Sequence, residues 1–339
     1  MKIFSANEYD PLKSVVVGSA TNAYFPAMDK VFQYGMRKGS WTESSPPVGH
    51  APKYVIEETN EDLEVLSQTL RELDITVYRP DDVDFSYMVR TTDWATEGQY
   101  AYCPRDNLLV IGDMVIETPM STRGRQHEVI AFDTIRRQAI KDGARWIAAP
   151  RPRLLDEENM LHRRKFELNN EEPVFDAANI CRFGMNLLYL ISDSGNELGA
   201  RWLQNVLGKD FTVHTTDVYD AAHIDSTILS VDYNTIVVNA NRVNANNLPE
   251  CLQDYKKIYV TEDLIIPQDF HEYPYASKWI AINMLAIGPG KVIVEKSQYK
   301  LIEFLEKVGL EVIPSPLRHA RTLGGGFHCV TLDLEREFK

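Results

Sequence analysis

The chain has 339 residues, 44% hydrophobic and 25% charged, with a formal net charge of −13. That length fits about two domains, or one large α/β domain with a sizeable core. The negative charge argues against nucleic acid or an anionic membrane surface as partner and suits cationic substrates, although acidity also serves solubility.

No stretch approaches the roughly 18 apolar residues of a membrane span. The first residues, MKIFSANE, turn polar too soon for a signal peptide. The cysteines Cys103, Cys181, Cys251 and Cys329 lie far apart without a CxxC pair. A disulfide framework or zinc knuckle is therefore not expected, and a reducing cytoplasm fits best.

In chain order, the strand pattern SVVVG (14–18) comes first. A helix (LEVLSQTLRELD) and a strand (ITVYRP) follow over 63–80. The run LLVIGDMVIE (108–117) precedes a helix (AFDTIRRQAIKDG) and a strand (ARWIAAP). NLLYLI (186–191) precedes LGARWLQNVLG and DFTVHT, and TIVVN (235–239) opens a fourth unit that ends near KIYVT (257–261). AINMLAIGPGKVIVE (281–295) precedes LIEFLEKVG and LEVIP. The helical parts repeat apolar residues every three or four positions, and the strands are short and β-branched or aromatic. Roughly five ββαβ units result, which points to radial repetition within one domain, residues 1–339. A doubly wound sheet is the competing reading, but no GxGxxG stands between a strand and a helix. Residues 37–53 and 155–173 read as long loops, candidates for lids or binding loops.

Near the C-terminus stands LGGGFHC, residues 323–329. Triple glycine clears side chains from the approach to one thiol, Cys329, and permits unusual backbone torsions. Alone it reads as a flexible turn before a terminal strand. Upstream, His223 and Asp225 in HIDSTILSV fall two apart at the start of a strand pattern, which puts both on one face. Asp176, in EPVFDAAN, is an acid among small and apolar residues that needs a partner or caps a helix. A histidine that it orients would serve. Asp106 stands before LLVIG, again at a strand entrance, and Arg242 stands just past TIVVN.

FDAAN, HIDST, a strand ending in NxxR, SKW and LGGGFHC occur in the order seen in amidinotransferases. The chain resembles the family that includes glycine amidinotransferase and bacterial inosamine-phosphate amidinotransferase. EEPVFDAAN, LLYLISDSGNELGARWLQ, NRVNANNLP and RTLGGGFHC resemble most the bacterial aminocyclitol branch. The likeness runs from EYDPLKSVVVG onward. It implies a five-bladed α/β propeller of pentein type, in agreement with the repeat count. It also implies Cys329 as nucleophile, His223 as general acid/base and Asp176 as its carboxylate partner. Asp106 and Asp225 would grip the guanidinium of the donor L-arginine, Arg242 its α-carboxylate, and Ser277 of SKW the same end. Neither metal nor organic cofactor is implied, and a homodimer stays open.

The sequence departs from glycine amidinotransferases at three positions. Asp220 and Ala222 replace an asparagine and a methionine before HID, and Ala276 replaces a serine before Ser277. These changes favour an amine acceptor larger than glycine, cationic if Asp220 faces it. A phosphorylated acceptor such as an inosamine phosphate would need basic residues: Arg123 and Arg125, or Arg163, Arg164 and Lys165, unless these are solvated charges. Two other readings are a hydrolase of the same fold with water as acceptor (an arginine deiminase or dihydrolase) and a non-catalytic arginine-binding protein.

Overall fold

Strands whose residues are apolar on both faces can only be central, and this chain builds its sheets around such strands. The computed structural model describes residues 1–32, 47–155, 168–268 and 275–337. Most of the two expected loops, and the basic triplet 163–165, lie outside them. β1 (Leu12–Val17), β2 (Thr76–Tyr78) and the last strand, β15 (Thr331–Arg336), form one three-stranded sheet. Four more follow: β3 (Leu108–Ile111), β4 (Met114–Glu117) and β5 (Arg145–Ala148); β6 (Ile180–Phe183), β7 (Asn186–Leu190) and β8 (Thr212–Thr216); β9 (Ile228–Asp232), β10 (Thr235–Asn239) and β11 (Lys256–Val260); β12 (Leu285–Gly288), β13 (Lys291–Glu295) and β14 (Glu311–Ser315).

All five sheets share one pattern: the middle strand pairs antiparallel on one side and parallel on the other. The antiparallel pair β3–β4 is buried throughout, whereas β5 is partly exposed. Five apolar clusters join the sheets in succession, and the last cluster, with Val15 and Leu285, joins the fifth sheet to the first. This excludes a doubly wound sheet.

Each parallel connection needs a crossover. Helices α1 (Lys53–Glu72), α2 (Asp133–Lys141), α3 (Glu197–Leu207) and α4 (Tyr299–Lys307) supply four of them. Asn196 caps α3 by accepting from the Gly199 N–H at 2.8 Å, and Gly208, at φ 66°, ends it. The fourth crossover has only a 3₁₀ turn, Glu250–Leu252, because residues 240–250 are rich in asparagine, which favours turns. α1 begins ten residues before the expected Leu63, since its buried face uses Thr59 and Asp62 where an apolar period was sought. No helix among the described residues is long and apolar enough to cross a membrane.

Asp333 on β15 is the ionic hub of the molecule. It is fully buried and accepts from Arg105 and Arg182 at 2.7 Å each and from Arg336 at 2.7 Å. Burial opposes its charge, but the three guanidinium groups hold its carboxyl well below the usual range. Arg105 also donates to the carbonyl oxygens of His328 and Thr331, both at 2.9 Å. The hub thereby fixes the segment that carries Cys329.

Candidate active site

A cavity of about 450 Å³ is lined by Cys329, His223 and five aspartates: Asp106, Asp176, Asp193, Asp220 and Asp225. Cys329 is 2% exposed and lies in the turn that leads into β15. Its thiol donates to Asp225 Oδ2 at 3.2 Å and receives the Asn283 Nδ2–H at 3.2 Å. Its backbone N–H donates to Asn283 Oδ1 at 3.1 Å. The adjacent Cys103 thiol, burial, and the Asp225 and Asp106 carboxylates push the Cys329 thiol well above its usual pKa.

The glycines before it are packing requirements more than a flexible turn. Gly324 has φ 81°, and a Cβ there would lie 2.2 Å from the Tyr275 ring. A Cβ on Gly325 would lie 2.5 Å from Cys103 Sγ, and one on Gly326 would lie 2.7 Å from the Asn283 carbonyl oxygen. Of the three, only Gly324 lines the cavity.

The expected strand at His223 is absent: β9 starts at Ile228, and His223 sits in the preceding loop at φ 64°. Left-handed backbone at a non-glycine residue is uncommon and concentrates at functional sites. The loop, and not strand alternation, brings His223 and Asp225 to one cavity. His223 Nε2 lies 3.0 Å from Asp176 Oδ2, and Nδ1 lies 3.9 Å from Asp106 Oδ1. Burial disfavours the imidazolium, but Asp106 and the bond to Asp176 outweigh it and raise the His223 pKa to about 9. Asp176 precedes a 3₁₀ turn, Ala177–Asn179, but its side chain does not cap it. Its carboxylate is used instead by His223 and, at 2.9 Å, by the Ser121 N–H.

Asp106 lies in the helical turn Pro104–Asn107 that leads into β3. Its Oδ2 accepts from Arg125 at 2.7 Å, while its buried Oδ1 has no hydrogen-bond partner. Asp225 is 4% exposed and accepts from His328 Nδ1 at 2.9 Å. Burial raises its pKa, but the His328 bond and charge overcome this and bring it to about 2.

Arg242 follows β10. It donates to the Thr227 hydroxyl at 2.7 Å, reaches Ser277 at 3.5 Å and stacks 3.7 Å from the Tyr219 ring centroid. Ser277, Tyr219, Ala276, Asp220 and Ala222 line the cavity. The structure thus gathers Cys329, His223, Asp176, Asp106, Asp225, Arg242, Ser277, Asp220 and Ala222 at or beside one cavity. Of the basic residues considered for a phosphate, Arg125 lines the cavity, where Asp106 and Glu128 hold it and its Nη2 has no hydrogen-bond partner, and Arg123 donates to the Leu154 carbonyl. Sequence reasoning missed Asn283, Tyr219, His328 and Glu8. Only His328, inside LGGGFHC, lay in a motif already singled out. Among the described residues no group of three or more His, Cys, Asp or Glu side chains could hold a metal ion.

The α/β fold and its acid-lined cavity define an enzyme, and whole-chain comparisons give its family. The chain is 44% identical over 333 residues to inosamine-phosphate amidinotransferase 1 of Streptomyces griseus, covering 97% of this chain and 96% of that one. A solved structure of inosamine-phosphate amidinotransferase from Streptomyces griseus superposes with a TM-score of 0.94 at 42% identity, covering 99% and 97% of the two chains. SxtG, an amidinotransferase of the saxitoxin biosynthetic pathway from Microseira wollei, gives 0.90 at 32% identity, covering 99% and 98%. No family model matches. The chain belongs to the amidinotransferase family and is an amidinotransferase.

Proposed function

We propose that the protein transfers an amidino group from L-arginine, through an amidino-cysteine on Cys329, to an amine acceptor larger than glycine. The carrying observation is that Cys329, Asp225, Asp106, whose Oδ1 has no hydrogen-bond partner, and the His223–Asp176 pair line one cavity. In this reading the five sheets are the blades of a single pentein-type propeller domain, and the site lies where its loops meet.

A guanidinium is a poor electrophile because resonance spreads its charge. Asp106 and Asp225 would bind its nitrogens and present Cζ to the sulfur at roughly 3–3.5 Å. The incoming cation would also offset the two carboxylates that hold the thiol protonated, so arginine itself promotes thiolate formation. The thiol proton is lost to solvent and Sγ adds to Cζ. The Cζ–Nε bond breaks as His223 gives its proton to the leaving nitrogen, and ornithine departs. The acceptor amine then adds to Cζ and yields a proton to His223, and the S–Cζ bond breaks. Arg242 and Ser277 would hold the arginine α-carboxylate during the first half. Water attacking the intermediate would waste it as urea, so the cavity must exclude water between the halves.

The acceptor end is supported by Ala222 and Asp220, both exposed at the mouth of the cavity. An inosamine phosphate, taken from the relative's name, or another amine of specialised metabolism fits this space better than glycine. Labelled arginine with and without hydroxylamine tests the reading. Ornithine with hydroxyguanidine, formed only when hydroxylamine is present and absent in Cys329→Ala, is the expected result. Citrulline and ammonia without any acceptor would instead place the protein among the deiminases.

A further inference from the structure

The residue before the nucleophile has no part in the steps above, yet it is among the most constrained groups in the molecule. His328 is 3% exposed. Its Nδ1 lies 2.9 Å from Asp225 Oδ2, and its Nε2 lies 3.4 Å from Glu8 Oε2. Nε2 thus has an ionic neighbour but no hydrogen-bond partner. Glu8 comes from the N-terminal segment, is 2% exposed, and accepts from Cys181 Sγ at 3.3 Å and Arg182 Nε at 3.4 Å. Arg182 is in turn bound to Asp333. The His328 main chain is anchored too, with its carbonyl oxygen on Arg105 and its N–H on the Asn283 carbonyl at 3.3 Å.

A neutral imidazole has one N–H, whereas this ring turns a nitrogen toward a carboxylate on each side. A filler in this position would need neither. Asp225 Oδ2 is the shared atom, accepting from both His328 and the Cys329 thiol. Nothing else in the hydrogen-bonding of the described residues fixes the direction of that carboxylate.

We propose that His328 is a positioning residue for the guanidinium grip. Donating to Asp225 and backed by Glu8, it keeps that carboxylate ionised and turned to where the donor cation binds. The line Arg182–Glu8–His328–Asp225–Cys329 carries orientation from the ionic hub to the reacting sulfur. His328 touches neither substrate nor sulfur in this scheme, and it acts through Asp225. The lowered pKa of Asp225, to which His328 is the largest favourable contributor, agrees with the arrangement. The inference rests on Asp225 gripping a cation, as the proposed function requires.

Two alkylating reagents separate positioning from general structure. Chloroacetamidine is cationic and should be drawn to Cys329 by Asp225 and Asp106, whereas iodoacetamide is neutral. In the wild type the cationic reagent should react faster. His328→Leu should lower the ratio of the two rates by about 10-fold or more and raise the arginine KM more than it lowers kcat. His328→Asn, whose side-chain N–H replaces the Nδ1 donor, should restore most of the ratio. Glu8→Gln should lower it less, in the same direction, and stands in if His328→Leu does not fold. An unchanged ratio in His328→Leu, or in Glu8→Gln when it alone can be assayed, overturns the proposal. So does a parallel loss of both rates without rescue by asparagine. A wild type without cationic preference overturns the guanidinium grip itself, and the proposal with it.

Discussion

Two buried groups of acids divide the chemistry of this protein. Asp333 is saturated: three arginines and the Ser5 hydroxyl, at 2.7 Å, occupy both of its oxygens. Asp106, buried to a similar degree, leaves one oxygen without a hydrogen bond, and Asp225 has a histidine and a thiol but no arginine. A buried carboxylate oxygen without a hydrogen bond is costly, and a fold tolerates one where a ligand completes it. The first acid ties together arginines from three parts of the chain. The second pair, in the proposed function, takes up the donor cation.

The sharpest way to break this comparison is to neutralise each kind. Asp333→Asn leaves three buried guanidinium groups undercompensated and should cost about 3–5 kcal/mol in denaturant unfolding. Asp106→Asn keeps an acceptor for Arg125, so it should change stability far less. It should raise the arginine KM about 10- to 100-fold, read from steady-state ornithine release. Equal stability losses at both positions would erase the distinction.

The pH dependence should divide in the same way. Asp333 is more acidic folded than unfolded, so its contribution is present above about pH 4 and lost as pH falls toward the lower folded value. Asp333→Asn should flatten the acid limb of thermal stability. His223 is raised to about 9, so its contribution is complete below the unfolded value of about 6.5 and lost as pH rises through 9. His223→Asn should remove the decline in melting temperature between those values. The first half-reaction, which needs the imidazolium, should fail above about pH 9 in the wild type.

At the mouth of the cavity the expected effect is smaller. Ala222→Met should weaken a bulky acceptor by about 10- to 100-fold in kcat/KM and leave arginine nearly unaffected. Equal loss for both would remove Ala222 from the acceptor side. The smallest effect belongs to the scaffold: Asn196→Ala should cost about 1 kcal/mol by uncapping α3, with kinetics unchanged.

What could be read in the sequence follows from how local each signal is. The inner strands were legible because they are continuous apolar runs, and the residues now around the cavity stood in short distinctive motifs. The start of α1 was not, because Asp62 occupies a buried helix position by pairing with Arg318 at 3.0 Å, a partner 256 residues away. The first sheet is completed by β15 from the other end of the chain, which no local pattern could indicate. The placement of His223 and Asp225 on one side was expected from strand alternation and arises from a loop with a left-handed histidine. Asn283 and Glu8 were invisible because their roles exist only through contacts with residues far away in the sequence.

The central claim is a covalent amidino group on Cys329. Intact and peptide mass spectrometry of protein mixed with L-arginine, without acceptor and quenched in acid, tests it most directly. The account predicts a mass increase of one amidino group on the peptide containing Cys329, one ornithine released for each modified chain, and loss of the adduct when an amine is added. Ornithine released without that adduct, or citrulline and ammonia in place of ornithine, would contradict it.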